Sequence, residues 1–127
     1  MNQQVALTQH PPSPSFDAAP RRQQIDRVCA AIADEFQPER IILFGSYAYG
    51  TPDADSDVDV LVIMPFAGSP FRQAGEILSR IVQRAGALPL DLLVRTAEQV
   101  QERLAIGDHF IREIIERGKV VYEKDHD

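Results

Sequence analysis

Residues 40–63 read RIILFGSYAYGTPDADSDVDVLVI, and this stretch decides the architecture. Arg40 to Phe44 is a short, nearly all-apolar run stopped by Gly45, the pattern of a strand covered on both faces. Asp57 to Ile63 is a second strand, rich in β-branched residues. Between them, Phe44-Gly45-Ser46 forms a turn where the first strand ends and a helix starts. Gly45 lets the backbone come close to a ligand, Ser46 offers a hydroxyl, and N–H groups free at a helix start attract phosphate. Gly-Ser after a strand is in most proteins no more than a turn, so the pair alone does not define a site.

Residues two apart on a strand share a face, so Asp57 and Asp59 project together while Val58, Val60 and Val62 point the other way. Two neighbouring carboxylates repel unless a proton or a cation sits between them. Hard oxygen ligands at this spacing suit Mg²⁺ carrying substrate phosphates. The plainer reading is a polar strand end facing solvent. A third acid, Asp91, interrupts the apolar run Leu88 to Val94 (LPLDLLV), which reads as a third strand. An unpaired buried carboxylate is costly, so Asp91 marks either a solvent-facing alternate position or a functional site. If this strand lies beside the second, Asp91 completes a three-carboxylate cluster.

The rest of the chain supplies helices. Arg21 to Phe36 repeats apolar Ile25, Val28, Cys29, Ile32 and Phe36 at helical spacing, and Pro38 stops it. Ser69 caps a helix that starts at Pro70 and ends at Gly86, with Phe71, Ala74, Leu78, Ile81, Val82 and Ala85 on its inner face. Pro89 places the start of the third strand at a sheet edge. Thr96 and Gln99 form a capping box for a helix bearing Val100 and Leu104. Asp108 caps another with Phe110, Ile111, Ile114 and Ile115 inward, and Lys119 to Tyr122 adds a short strand. Strands alternating with helices make a small α+β (α/β-like) domain of about four strands flanked by helices.

The 127 residues suffice for one domain, here residues 21–123, with a short tail at 124–127. Residues 1–20 hold four of the nine prolines and few large apolar groups, the composition of a flexible arm or an interaction tail. The net charge of −6 disfavours a direct nucleic-acid binder, which needs a basic footprint. It leaves room for a nucleotide that arrives with its own cations. The one cysteine, Cys29, closes no disulfide within the chain, and no His/Cys set has zinc spacing. No apolar run approaches a membrane span, and no signal-peptide pattern opens the sequence, which fits a cytoplasmic location.

Other candidate groups have plainer readings. Asp53, Asp55, Asp57 and Asp59 alternate as in a calcium loop, but neither Asp53 nor Asp55 is followed by that loop's glycine and glutamate. Asp53 and Asp55 therefore read as loop residues. Tyr47 and Tyr49 could stack on a base or pack the short helix onto the sheet. His10 and His126 lie in the tails, His109 reads as a surface residue, and Cys29 as a small core hydrophobe.

Taken together, Gly45-Ser46, ten residues, Asp57-x-Asp59 and the later acid Asp91 resemble the signature of the polymerase-β-like nucleotidyltransferase superfamily. Gly50-Thr51 and Ser56 also fall where related sequences often have them. The resemblance runs from about Ile25 to Tyr122 and is closest to the minimal nucleotidyltransferases, which act as antitoxins with a separate helical HEPN protein. It implies a small mixed sheet and a Mg²⁺-dependent enzyme. Gly45 and Ser46 would hold the β/γ-phosphates of a nucleoside triphosphate, and Asp57 and Asp59 would bind two Mg²⁺ ions. Asp91 would complete the ligands of the ion that activates the acceptor hydroxyl, and would take the acceptor proton. The sequence departs from the pattern at Tyr49, where many members carry arginine; a phenol brings no charge to a triphosphate.

The implied activity is transfer of AMP from ATP to a hydroxyl, a tyrosine of a HEPN-type toxin, within a hetero-oligomer. Two alternatives stand beside it: a nucleotidyltransferase acting on a small hydroxylated molecule, and an antitoxin that neutralises its partner by binding alone. A partner also suits the helix after Asp108, whose four apolar residues exceed one core face, although packing on the sheet is the plainer and favoured account of them.

Overall fold

The computed structural model describes residues 16–125, so most of the expected arm and the last two residues of the expected tail lie outside the described residues. The elements in chain order are α1 (Ala19–Phe36), β1 (Arg40–Phe44), α2 (Ser46–Tyr49), β2 (Val58–Ile63) and α3 (Pro70–Ala85). They are followed by β3 (Leu90–Arg95), α4 (Ala97–Ala105), α5 (His109–Arg117) and β4 (Lys119–Glu123). The helix expected from Arg21 thus begins two residues earlier, with Pro20 in its first turn, where a missing N–H costs nothing.

The four strands form one mixed sheet in the order β3-β2-β1-β4. β1 lies antiparallel to β2, with Arg40 opposite Ile63 and Phe44 opposite Asp59. β4 lies antiparallel to β1 on the other side, with an irregularity between Ile41 and Ile42. β2 and β3 are parallel, in register from Val58 opposite Leu90 to Ile63 opposite Arg95. Pro89 precedes the edge strand β3, where its lack of an N–H is harmless, and its carbonyl still accepts from Val58 N at 2.8 Å. Lys124, the first tail residue, donates its N–H to the Glu39 carbonyl at 2.9 Å and so continues the strand pairing.

Strand alternation divides the apolar residues between two faces. Ile41, Leu43, Val58, Val60, Val62 and Val94 bury against α1 and α3. Ile42, Phe44, Leu61 and Ile63 bury against Val100 of α4 and Ile111 and Ile114 of α5. The central strands are therefore covered on both sides, as their continuous apolar runs require. Burying each large aliphatic chain of this core contributes about 1.5–3 kcal/mol.

Two helix faces differ from expectation. On α3 the buried residues are Ala74, Ile77 and Ile81, whereas Phe71 is 83% exposed and Leu78 and Val82 also face solvent. This helix carries two apolar rows side by side, and the row through Ile77 is the one the sheet takes. On α5 Ile111 and Ile114 are buried and Ile115 partly so, but Phe110 is 51% exposed. The caps are as read: Ser69 Oγ accepts from Phe71 N and Arg72 N, Asp108 Oδ1 accepts from Ile111 N, and Thr96 and Gln99 exchange reciprocal bonds.

Candidate active site

The site is built at the end of β1. Gly45 adopts φ 73° and ψ −151°, a conformation that side chains resist, and turns the chain into the single turn of α2. Its carbonyl accepts from Ala48 N and Tyr49 N, both at 3.0 Å. A β-carbon on Gly45 would fall on the carboxylate of Asp59, so the glycine is required by space as well as by dihedral angle. Gly50 closes the turn under a similar limit, because a β-carbon there would sit 2.8 Å from the Ser46 α-carbon. Tyr47 drops into the α1/α3 core while Tyr49 packs on the opposite cluster, so α2 straddles the end of the sheet. Arg22 of α1 donates to the Tyr47 carbonyl at 2.9 Å and lies over its ring at 5.4 Å.

The loop that follows is tied to itself. Asp53 Oδ1 accepts from Asp55 N at 2.9 Å and Ser56 Oγ at 3.2 Å, while Ser56 Oγ accepts from Asp53 N at 2.9 Å. Asp53 is thus a loop-shaping residue, as its sequence context suggested. This compact loop delivers Asp57 to the start of β2; the strand itself begins one residue later than expected, at Val58.

Asp59 is the centre of the acidic group. Its alternation with buried Val58 and Val60 puts it on the α4/α5 side of the sheet, across from Phe44 and directly beside Asp91 of the parallel strand β3. The third strand therefore lies next to the second, the arrangement in which Asp91 joins the pair. Asp59 is partly buried, whereas Asp57 and Asp91 are exposed. Burial first, and then the charges of Asp91 and Asp57, push the Asp59 carboxyl above the ordinary carboxylate range. Among the described residues, no basic side chain pairs with any of the three.

An uncompensated trio of hard oxygen donors is the chemistry a Mg²⁺ site needs. Among the described residues no three His, Cys, Asp or Glu side chains are placed so that together they could hold a metal ion. Like charges gain nothing from converging without a cation between them, and Asp57 and Asp91 have the exposure to turn inward around one. The donor set fits the expected ion in kind, and Asp59 and Asp91 are neighbours across β2 and β3.

The far wall comes from α5. Phe110 meets the Phe44 ring edge-on, with centroids 5.8 Å apart, and Arg117 lies over the Tyr49 ring at 4.4 Å. Neither contact was legible in the sequence, because both join residues far apart along the chain with no motif between them. His109 is exposed at the start of α5. Cys29 is buried within the α1 face, where desolvation and then Asp26 push its thiol up to about 11, the behaviour of an inert core residue.

Comparison with known proteins gives the family and the fold. The model of the nucleotidyltransferase domain family matches residues 25–122, and the chain belongs to that family. A "Putative protein adenylyltransferase" of Methanocaldococcus jannaschii is 27% identical over 84 residues, which span 66% of this chain and 78% of the relative. Among solved structures, a "putative nucleotidyltransferase" from Sulfolobus solfataricus superposes with a TM-score of 0.55 at 17% identity, covering 80% of this chain and 78% of its own. A toxin–antitoxin complex crystallised with AMP-PNP gives a TM-score of 0.53 at 19% identity, covering 79% and 73% of the two chains. A mutant of the MntA–HpeT toxin–antitoxin pair gives 0.51 at 16% identity, covering 79% and 74%. No helix among the described residues is long and apolar enough to cross a membrane.

Proposed function

We propose that this chain is a Mg²⁺-dependent adenylyltransferase that moves AMP from ATP onto a tyrosine hydroxyl of a HEPN-type helical toxin, and so acts as its antitoxin. The observation that carries the reading is the in-register pair Asp59 and Asp91, with Asp57 beside it and the Gly45 backbone directly against it. The similarity to a protein adenylyltransferase supports a protein acceptor, and the fold shared with toxin–antitoxin complexes supports a toxin as that protein.

In this reading Gly45 and Ser46 hold the β/γ-phosphates through the backbone N–H groups of the turn and the Ser46 hydroxyl. Asp57, Asp59 and Asp91 hold Mg²⁺. Two such ions, when bound, stabilise the attacking oxygen and the departing pyrophosphate. The acceptor oxygen bonds to the α-phosphorus, the bond from that phosphorus to the β-phosphate bridge breaks, and pyrophosphate leaves. Asp91, exposed at the sheet edge, receives the acceptor proton.

The test is incubation of the purified chain with Mg²⁺ and α-phosphate-labelled ATP in lysate of its source organism, beside the Asp57→Ala/Asp59→Ala double variant. A labelled protein band that needs both carboxylates, with the label on tyrosine, is the expected result. Labelled small products instead would point to a small hydroxylated acceptor. Absence of any labelled product, with the toxin still neutralised, would point to an antitoxin that works by binding alone.

A further inference from the structure

Tyr49 brings no charge to its loop, but it carries one on its face. The Arg117 guanidinium lies over the ring with 4.4 Å between its carbon and the ring centroid, a distance at which the ring quadrupole attracts a cation. Arg117 is 56% exposed, and its Nη1 donates to Glu113 of the same helix at 3.2 Å. Its other N–H groups have no partner among the described residues. Tyr49 packs on the cluster that contains Phe44, and Phe44 stands opposite Asp59, so the stacked pair is on the face that bears the carboxylates. The other arginine on this turn, Arg22, is committed to the carbonyl and ring of Tyr47, whose side chain belongs to the opposite face.

We propose that Arg117, held over the Tyr49 ring, is a phosphate-binding residue that meets the terminal phosphates of the nucleoside triphosphate. The proposal rests on the nucleotidyltransferase reading and adds to it a group from outside the Gly45-to-Asp59 segment. A triphosphate approaching three carboxylates needs cationic charge beyond the metal, in a chain with 13 basic against 19 acidic residues. A guanidinium offers planar, paired donors that match phosphate oxygens, and stacking on an aromatic ring fixes its plane in advance. Glu113 holds the guanidinium until phosphate displaces it.

The test is competition binding of ATP and of AMP, each with Mg²⁺, to the full chain and to Arg117→Gln, Glu113→Gln and Tyr49→Arg/Arg117→Gln. Arg117→Gln should weaken ATP about tenfold, the loss expected for a charged hydrogen bond, and leave AMP, which lacks the terminal phosphates, within about twofold. Glu113→Gln should tighten ATP, and the Tyr49→Arg change should restore ATP binding to the Arg117→Gln chain. Equal ATP affinity in Arg117→Gln, or equal losses for ATP and AMP, would overturn the proposal while leaving the carboxylate site intact. Failure of the unaltered chain to bind ATP at all would overturn the nucleotidyltransferase reading, and this proposal with it.

Discussion

Gly45 and Asp59 face each other across β1 and β2 with no room for a side chain between them: the space a β-carbon of residue 45 would need is held by the Asp59 carboxylate. The phosphate-facing turn and the central acid are therefore one unit, each keeping the other in place. Gly45→Ala should meet both the positive φ and the carboxylate. A strained backbone of this kind costs about 1–3 kcal/mol. The expected result is a lower melting temperature and a loss of nucleotidyl transfer of at least about 100-fold, read by thermal denaturation and by label transfer; a loss far exceeding the drop in folded fraction marks damage to the site itself.

The fold disfavours the charged form of Asp59, so function and stability should pull apart there. Its pKa is raised by burial and by Asp91 and Asp57, so the folded chain binds a proton at Asp59 more tightly than the unfolded chain does. The sign follows: the associated stability is full below the unfolded carboxylate value and is lost as pH rises through the folded value. In metal-free buffer at neutral pH, Asp59→Asn should melt higher than the unaltered chain, and the difference should shrink as the pH falls below about 4. The same variant should show no transfer.

Asp108 should behave in the opposite sense. The Ile111 N–H, and after it the charge of Arg103, hold its carboxyl below the ordinary range, so its contribution is present above the unfolded value and lost as pH falls through the folded one. Asp108→Ala should lower the melting temperature at pH 7 and converge with the unaltered chain in acid. Circular-dichroism melts across pH would show it. Transfer activity at temperatures where the variant is folded should fall only as far as the α5 wall loosens.

The two apolar rows of α3 give a packing test. Ile77 is fully buried and Phe71 is exposed. Ile77→Ala should cost about 2–5 kcal/mol. Phe71→Ala should change stability by no more than ~0.5 kcal/mol. Urea denaturation of the two variants reads both values, and a large cost at Phe71 would contradict the helix orientation.

What the sequence disclosed and what it withheld have physical reasons. The turn at Gly45-Ser46 after an apolar strand and the position of Asp59 on β2 were legible because both are set locally, whereas reading them with Asp57 as a candidate site rested on the resemblance and not on the local pattern. Asp91 was legible only conditionally, since its place depends on β3 lying parallel beside β2. On α3 the inward reading of Ala74 and Ile81 holds, but Phe71, Leu78 and Val82 were counted with them and Ile77 was not, because the two apolar rows repeat equally regularly and only the sheet chooses between them. The contacts of Phe110 with Phe44 and Arg117 with Tyr49 were out of reach, for they arise when α5 crosses the end of β1 and no local pattern encodes that crossing.

The most direct measurement compares α- and γ-phosphate-labelled ATP as donors to the captured acceptor, with the unaltered chain and with Asp57→Ala, Asp59→Ala and Asp91→Ala. The expected result is that the α-label stays on the acceptor, the γ-label leaves as pyrophosphate, and each substitution abolishes both. Transfer of the γ-label to the acceptor, or undiminished transfer of the α-label by any of the three variants, would contradict a nucleotidyltransferase centre built on these carboxylates.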